Sequence, residues 1–136
     1  VKVVIKNFPL GSHKQAKKAA QYALAAHKQG KYKEIYRKIF EDYKSLRNDE
    51  DLPKKIAGEL GLDIEQLMED MQSKEIIDLI DWEYNQLASL RNAYPETDEY
   101  AAGVRLAVPK FFINGREPIS RSIAAFSAMI EEEIKK

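Results

Sequence analysis

The sequence predicts a single α/β domain, in the order strand, about six helices, hairpin and helix. A β-rich segment opens the chain at residues 1–7. Apolar residues then recur every three or four positions, which is the spacing of amphipathic helices. A second β-rich segment, at residues 108–113, runs into Asn114-Gly115, the pair favoured in a two-residue hairpin turn. A chain of 136 residues fits one domain with one hydrophobic core.

The composition is typical of a soluble globular protein, with 44% hydrophobic and 32% charged residues. No apolar run approaches the roughly 20 residues that span a bilayer, and no pattern of a cleavable leader is recognisable. Because the first residue is Val1 and not methionine, we expect a processed or trimmed start. Cysteine is absent, which excludes a disulfide framework, a thiolate metal site and a cysteine nucleophile within these residues.

The charges are unevenly distributed although the formal net charge is zero. Residues 1–46 carry 11 Lys and Arg against 3 Asp and Glu, whereas residues 47–136 carry 11 against 19. We interpret the lysines as solvated helix faces that are weakly attracted to the acidic part. A basic surface for nucleic acid or anionic lipid is the alternative, but no recognised nucleic-acid motif supports it.

The first residues are predicted to form an edge strand. Val1, Val3 and Ile5 fall on one face of a strand over residues 1–7, and the flanking lysines are typical of a sheet edge. A turn at residues 8–11 follows. Ser12 and Gln15 then match a capping box, in which each side chain bonds a backbone N–H at the start of a helix.

The helices are predicted from apolar periodicity and from the residues at their ends. Gly30 and Gly61 are expected to end the first and third helices. Pro53 fits the first turn of the third helix, and Asp63 and Ser73 are expected to cap the fourth and fifth. The predicted helices cover residues 13–29, 31–46, 52–60, 64–72, 74–93, 97–105 and 121–136.

Two groups of polar residues suggest chemistry, and both have a simpler interpretation. His13 and His27 could ligate a metal, but a capping or packing role is favoured because no acidic partner is near them in sequence. Asp78, Asp81 and Glu83 could form a carboxylate pair for acid–base catalysis. No partner base or metal-ligand spacing accompanies them, so we interpret them as a solvated helix face.

The second helix carries Tyr32, Tyr36, Phe40 and Tyr43 beside basic residues. Aromatic and basic side chains together can stack on bases and contact phosphates. These aromatics share a stripe with Ile35 and other apolar residues, however, so we expect them to lie in the core.

The predicted hairpin begins with a proline. Val108-Pro109 is a candidate cis peptide, since a proline at the start of a strand donates no hydrogen bond to its neighbour. The Asn114-Gly115 turn should be type I′, and residues 116–120 should form a short return strand. Pro118 restricts that return strand to a sheet edge.

Several of these segments, taken together and in this order, resemble the DsbA-like branch of the thioredoxin-fold proteins, the thiol–disulfide oxidoreductases. Residues 3–10 look like the strand that follows the active-site helix, and His13, Ala16 and Ala20 with residues 29–31 look like the next helix and turn. Residues 60–63 and 70–73 are similar to the inserted helical subdomain. Val108-Pro109 with residues 111–115 looks like the cis-proline strand and hairpin.

The resemblance implies a thioredoxin-like α/β fold with an inserted helical subdomain. Residues 1–12 and 97–136 would belong to the thioredoxin core and residues 13–96 to the helical insertion, within one partial domain. The family's first strands, its Cys-x-x-Cys motif and the helix that bears it have no counterpart in the chain. We therefore expect a segment of about 30–60 residues before Val1, or a second chain, to supply the middle strand.

The resemblance also implies disulfide exchange with protein or peptide substrates, with the redox cysteine pair upstream. Val108 would offer backbone hydrogen bonds to an extended substrate, and Pro109 would shape the surface. No catalytic residue, metal ligand or cofactor is expected within the chain, and the family usually acts outside the cytoplasm. A redox-inactive thioredoxin-fold module that binds peptides or proteins is the alternative, and a helical nucleic-acid-binding domain is a third possibility.

Overall fold

The computed structural model describes residues 2–90 and 107–136, and the chain divides into two compact units, Val1–Leu90 and Arg91–Lys136. The described part of the first unit is helical, and that of the second holds a turn and one helix. In the described residues, no helix is both long enough and apolar enough to cross a membrane. The helices are α1 Ala16–Lys28, α2 Tyr32–Glu41, α3 Leu52–Glu59, α4 Ile64–Met71, α5 Lys74–Ala88 and α6 Ile123–Ile134, with a short 3₁₀ helix at Ser45–Arg47.

Helix α1 is the centre of the first unit and packs against α2, α3, α4 and α5. Its buried face is built largely from alanines, whose small side chains let the neighbouring helices approach closely. Tyr22 is the large buried side chain of this face. The core consists of apolar residues from all five helices and the linker before α4, namely Tyr22, Ala23, Ala25, Ala26, Ile35, Ile39, Ile56, Ala57, Leu62, Leu67, Met71, Ile76 and Ile80.

The predicted caps of α4 and α5 are confirmed. The Asp63 side chain accepts a hydrogen bond from Gln66 N at 3.0 Å, and the Ser73 hydroxyl accepts one from Ile76 N. Gly61 ends α3 with a φ of 72°, and the next amide bonds back to Ala57 O at 3.0 Å. Gly30 ends α1 with the same backbone geometry, as predicted.

The predicted capping box at the start of α1 is wrong. The helix begins at Ala16, and Ser12 lies in the turn before it. Gln15 makes no capping bond, because its side-chain amide donates instead to Arg47 O at 3.0 Å. Gln21 donates to Met71 O in the same way, and Gln29 exchanges two hydrogen bonds with the Asp63 backbone. Glutamines within α1 and at its two ends thus tie neighbouring segments to it.

Helix α2 ends five residues earlier than predicted, at Glu41. The Ser45 hydroxyl donates to the Asp42 carboxylate at 2.6 Å, a local bond that competes with the helix and favours a turn. The expectation that all four aromatics of this region lie in the core is wrong for two of them. Phe40 is 69% exposed, and Tyr43 is also exposed.

The predicted strands do not form within residues 2–90 and 107–136. Residues 2–10 have no regular secondary structure, and Val3 is 79% and Val4 62% exposed. A strand requires a hydrogen-bonding neighbour, and the described residues provide none for this segment. The predicted return strand over residues 116–120 is also wrong, since one isolated bridge joins Ile113 to Arg116. The predicted helix at 97–105 and the end of the one at 74–93 lie outside the described residues.

The second unit is organised by α6. The Ser122 hydroxyl accepts a hydrogen bond from Ala125 N at 3.1 Å and so caps the helix. Phe126 projects from the first turns and meets Phe111, with 5.0 Å between the ring centres. Met129, one turn further, is the buried side chain of this helix. The hairpin is therefore packed on α6 through an aromatic pair.

Candidate functional site

The hairpin turn that follows the candidate substrate-binding residues has the predicted type I′ geometry. Asn114 has a φ of 47° and Gly115 a φ of 81°, so both central residues adopt the left-handed conformation that this turn requires. Ile113 N donates to Arg116 O at 2.8 Å, and Arg116 N donates to Ile113 O at 3.0 Å. The turn is therefore closed by a reciprocal pair of backbone bonds.

Side chains of this turn fix it to the end of α6. The Arg116 guanidinium lies 2.9 Å from Glu132 and 2.8 Å from Glu133. Asn114 Nδ2 donates to the second oxygen of Glu133 at 3.0 Å, and Lys136 pairs with the same carboxylate. Hydrogen bonds from Lys136, Asn114 and Arg116 lower the pKa of Glu133 to about 2. Glu133 is therefore the anchor on which the turn is held.

A second ion pair joins the two arms of the hairpin. The Lys110 ammonium lies 2.5 Å from the Glu117 carboxylate, and the Lys110 side chain is almost fully buried. Phe111, the next residue, contacts Phe126 of α6. Charge and aromatic packing thus hold residues 110–117 in place directly after Pro109.

Val108 and Pro109, the predicted substrate-binding residues, stand at the start of this anchored hairpin. The peptide bond between them is cis. Val108 is half-buried and Pro109 is exposed. Within the part of the chain that the structure describes, no group bonds the Val108 N–H or C=O. Among the described residues, this backbone donor and acceptor are therefore open to an extended chain beside Pro109.

The two histidines lie at opposite ends of α1. His13 lies in the turn before α1 and His27 lies in its last turn, and both are exposed. Among the residues that the structure describes, no group of three or more His, Asp or Glu side chains could hold a metal ion.

The three acidic residues of α5 differ from one another, and their interpretation as one solvated face is wrong for Glu83. Asp78 pairs with Lys74, and Asp81 lies 2.9 Å from Lys17 at the surface. Glu83 is 8% exposed. Its Oε2 accepts hydrogen bonds from Asn7 N at 2.7 Å and from Asn7 Nδ2 at 2.8 Å. A buried carboxylate needs such partners, and Asn7 supplies two of them.

Glu83 is the centre of a set of contacts between residues 6–8 and α5. The Lys6 ammonium lies 4.8 Å above the Trp82 ring and also bonds Gln86. The Phe8 and Tyr84 rings stack with 4.4 Å between their centres. No local sequence pattern indicates this arrangement, because its partners are more than seventy residues apart. The segment that precedes the helical bundle is thereby fixed to α5, whereas residues 3–5 stay exposed.

The lysines of the first 46 residues pair extensively with acids from the rest of the first unit. Lys18 lies 3.2 Å from Asp51, and Lys38 lies 2.9 Å from Glu59. Lys28 contacts both Asp70 and Glu75. Together with the Lys17–Asp81 pair, these contacts favour attraction between the basic and acidic parts over a continuous basic surface for nucleic acid.

A comparison with protein-family models finds one match, which covers residues 2–94. The matching model is that of the DSBA-like thioredoxin domain. No curated protein and no solved structure gives a significant match to the chain. The matched residues include all the helices of the first unit and the Asn7–Glu83 contact.

Proposed function

Because the chain belongs to the DSBA-like thioredoxin domain family, we propose that it is the larger part of a protein that exchanges disulfides with protein or peptide substrates. Family membership is the observation that carries this proposal. It supports the thiol–disulfide oxidoreductase class at a coarse level. The proposal adds two points to this class: the location of the redox pair and the loop that binds the substrate.

The redox cysteine pair is proposed to lie in a segment that precedes Val1, since these 136 residues contain no cysteine. In disulfide exchange a thiolate attacks one sulfur of a disulfide, and the displaced sulfur leaves as a thiolate. A helix N-terminus lowers the pKa of such a cysteine and raises the thiolate fraction at neutral pH. The second cysteine of the pair then resolves the mixed disulfide.

Exposed apolar residues near the N-terminus support the proposal that a neighbouring β-strand comes from outside these 136 residues. Val3, Val4 and Ile5 are exposed and consecutive, and β-branched residues favour a pleated, half-buried surface. Asn7 and Phe8 hold the following residues on α5. A strand from a preceding segment or from a second chain would cover Val3–Ile5 and pair with them to form a sheet.

The proposed substrate site is the backbone of Val108 next to Pro109. A substrate in extended form would pair with the Val108 N–H and C=O, as a strand pairs at a sheet edge. Pro109 has no N–H, so it would shape the surface beside the substrate and donate no hydrogen bond to it. The anchors on α6 through Phe111, Asn114 and Arg116 would keep the loop in one position during exchange.

The test uses the natural protein with the residues that precede Val1. Thiol titration and mass spectrometry would first establish whether a Cys-x-x-Cys pair is present. The protein is then mixed with a peptide that contains one intramolecular disulfide, and the thiol and disulfide forms of both are quantified over time. We expect exchange that disappears when the first of the two cysteines is replaced by serine. A cysteine pair that gives no exchange with any disulfide or dithiol peptide would refute the proposal.

The alternative function is a redox-inactive module that binds extended peptides. The Val108 backbone, which no described residue bonds, favours it equally, because peptide pairing there needs no thiol. The absence of a cysteine pair from the preceding residues, together with saturable peptide binding, would establish this alternative.

A further inference from the structure

A cleft in the first unit, separate from the proposed disulfide chemistry, is lined by two basic side chains, Lys14 and Arg47. It lies between the turn before α1 and the segment that follows α2, and its volume is about 460 Å³. The hydrogen bond from Gln15 Nε2 to Arg47 O, 3.0 Å long, joins its two walls. The residues that line the cleft include Ser12, His13, Lys14, Tyr43, Leu46 and Arg47.

The cationic side chains of the cleft have no carboxylate partner among the residues that the structure describes. Lys14 and Arg47 make no ion pair there, whereas most lysines of the first unit do. Two acids that follow Arg47 closely in sequence pair with other lysines. Asp49 pairs with Lys55, which lowers the Asp49 pKa, and Asp51 pairs with Lys18. Within residues 2–90 and 107–136, Lys14 and Arg47 therefore have no ion-pair partner.

The walls also contain apolar and hydroxyl groups. Tyr43 is exposed and Leu46 half-buried, so a ring and an aliphatic side chain face the space. Ser12 and Tyr43 each carry a hydroxyl that can donate to an anionic oxygen. The first turn of α1 begins at the same wall, and its positive dipole end adds to the attraction for an anion.

We propose that this cleft binds an anionic group carried on a flat apolar body, in the manner of an aryl phosphate or an aryl carboxylate. Arg47 and Lys14 bind the anion, and the body lies against Tyr43 and Leu46. Charge without an apolar body would leave the Tyr43 and Leu46 surface exposed to water, and an apolar body without charge would leave the cations unpaired. The inference goes beyond disulfide exchange and does not rest on it.

The probes are phenyl phosphate, benzoate, inorganic phosphate and benzyl alcohol, each titrated into ¹⁵N-labelled protein. We expect phenyl phosphate or benzoate to cause saturable shifts of the amides of residues 12–16 and 43–47. The stronger of these two identifies the anion. Inorganic phosphate and benzyl alcohol are expected to bind at least about tenfold more weakly, because each lacks one of the two contacts.

Two variants and a matched control complete the test. Arg47→Ala and Lys14→Ala should each weaken binding by about tenfold, the loss expected for one hydrogen bond to a charged group. Neither removes the bond between the walls, since that bond uses the Arg47 backbone oxygen. Lys54→Ala removes an exposed lysine of α3 outside the cleft and should leave the affinity unchanged.

Three results would overturn the inference. The first is the absence of saturable shifts at the cleft with either aryl anion. The second is equal weakening by Lys54→Ala and Arg47→Ala, which would indicate a general effect of charge. The third is binding of inorganic phosphate as tight as that of phenyl phosphate, which would exclude a role for the apolar wall.

Discussion

Replacing Glu83 with alanine should strongly destabilise the first unit, although sequence patterning places this residue on a charged helix face. The side chain is 8% exposed, and one of its oxygens accepts both the backbone and side-chain N–H groups of Asn7. Hydrogen bonds to a charged group contribute roughly 1.5 to 3 kcal/mol each, and half-buried Asn7 can recover part of this from water. We therefore expect Glu83→Ala to lower the free energy of unfolding by about 2 to 4 kcal/mol.

Glu83→Gln separates hydrogen bonding from charge. Glutamine keeps an acceptor oxygen of the same reach, but a neutral acceptor forms weaker bonds, so we expect a loss of about 1 kcal/mol. Asp78→Ala is the matched control on α5, because its exposed pair with Lys74 should contribute less than about 1 kcal/mol.

The assay is urea unfolding of the three variants followed by helical circular dichroism, with amide exchange at Asn7 measured in parallel. The Asn7 amide should exchange faster in Glu83→Ala than in Asp78→Ala. Equal stability of Glu83→Ala and Asp78→Ala, or a glutamine variant as unstable as the alanine variant, would refute the reasoning.

Three further predictions concern the proposed substrate loop, α6 and the end of α3. Val108→Pro removes the Val108 N–H and should weaken binding of an extended peptide by about tenfold, whereas Val108→Ala retains that N–H and most of the affinity. Unchanged binding by Val108→Pro in calorimetry would exclude the backbone contact. The lowered pKa of Glu133 stabilises the fold above pH 4.5, and this contribution should be lost as the pH falls to about 2. The NMR chemical shifts of residues 123–134 should therefore change between pH 4.5 and about 2, and Glu133→Gln should abolish this change. The same pH dependence of the shifts in Glu133→Gln would contradict the prediction. Gly61→Ala places a Cβ at a φ of 72° and should cost about 1 kcal/mol. Gly58→Ala, within α3 and with open space at its Cβ, should instead stabilise by about 0.5 to 1 kcal/mol in the same urea assay, and the opposite order would refute the assignment.

Features set by neighbouring residues could be predicted from the sequence. The caps at Asp63 and Ser73, the helix end at Gly61 and the Asn114-Gly115 turn depend on groups within five residues, and all are present. The family was also recognisable, because its segments occur in the expected order and the family model covers residues 2–94.

Features set by distant residues could not be predicted. Gln15 bonds Arg47 instead of capping α1, and Glu83 is buried because Asn7 lies against α5. Neither pairing leaves a local pattern. The predicted strands are wrong for a related reason. A β-rich composition indicates that a segment can pair as a strand, but a strand forms only beside a hydrogen-bonding neighbour. Val3 and Val4 have no such neighbour within the described residues.

A trapped complex with substrate tests the central claim most directly. The natural protein, with its resolving cysteine replaced by serine, is mixed with a peptide whose single cysteine is already in a disulfide with thionitrobenzoate. The remaining thiolate attacks the peptide sulfur, thionitrobenzoate leaves, and a mixed disulfide forms; amide exchange is then compared with that of the free protein. We predict that the mixed disulfide accumulates and that exchange of the Val108 amide slows. Failure to form any mixed disulfide, or unchanged exchange at Val108 in the trapped complex, would contradict the account.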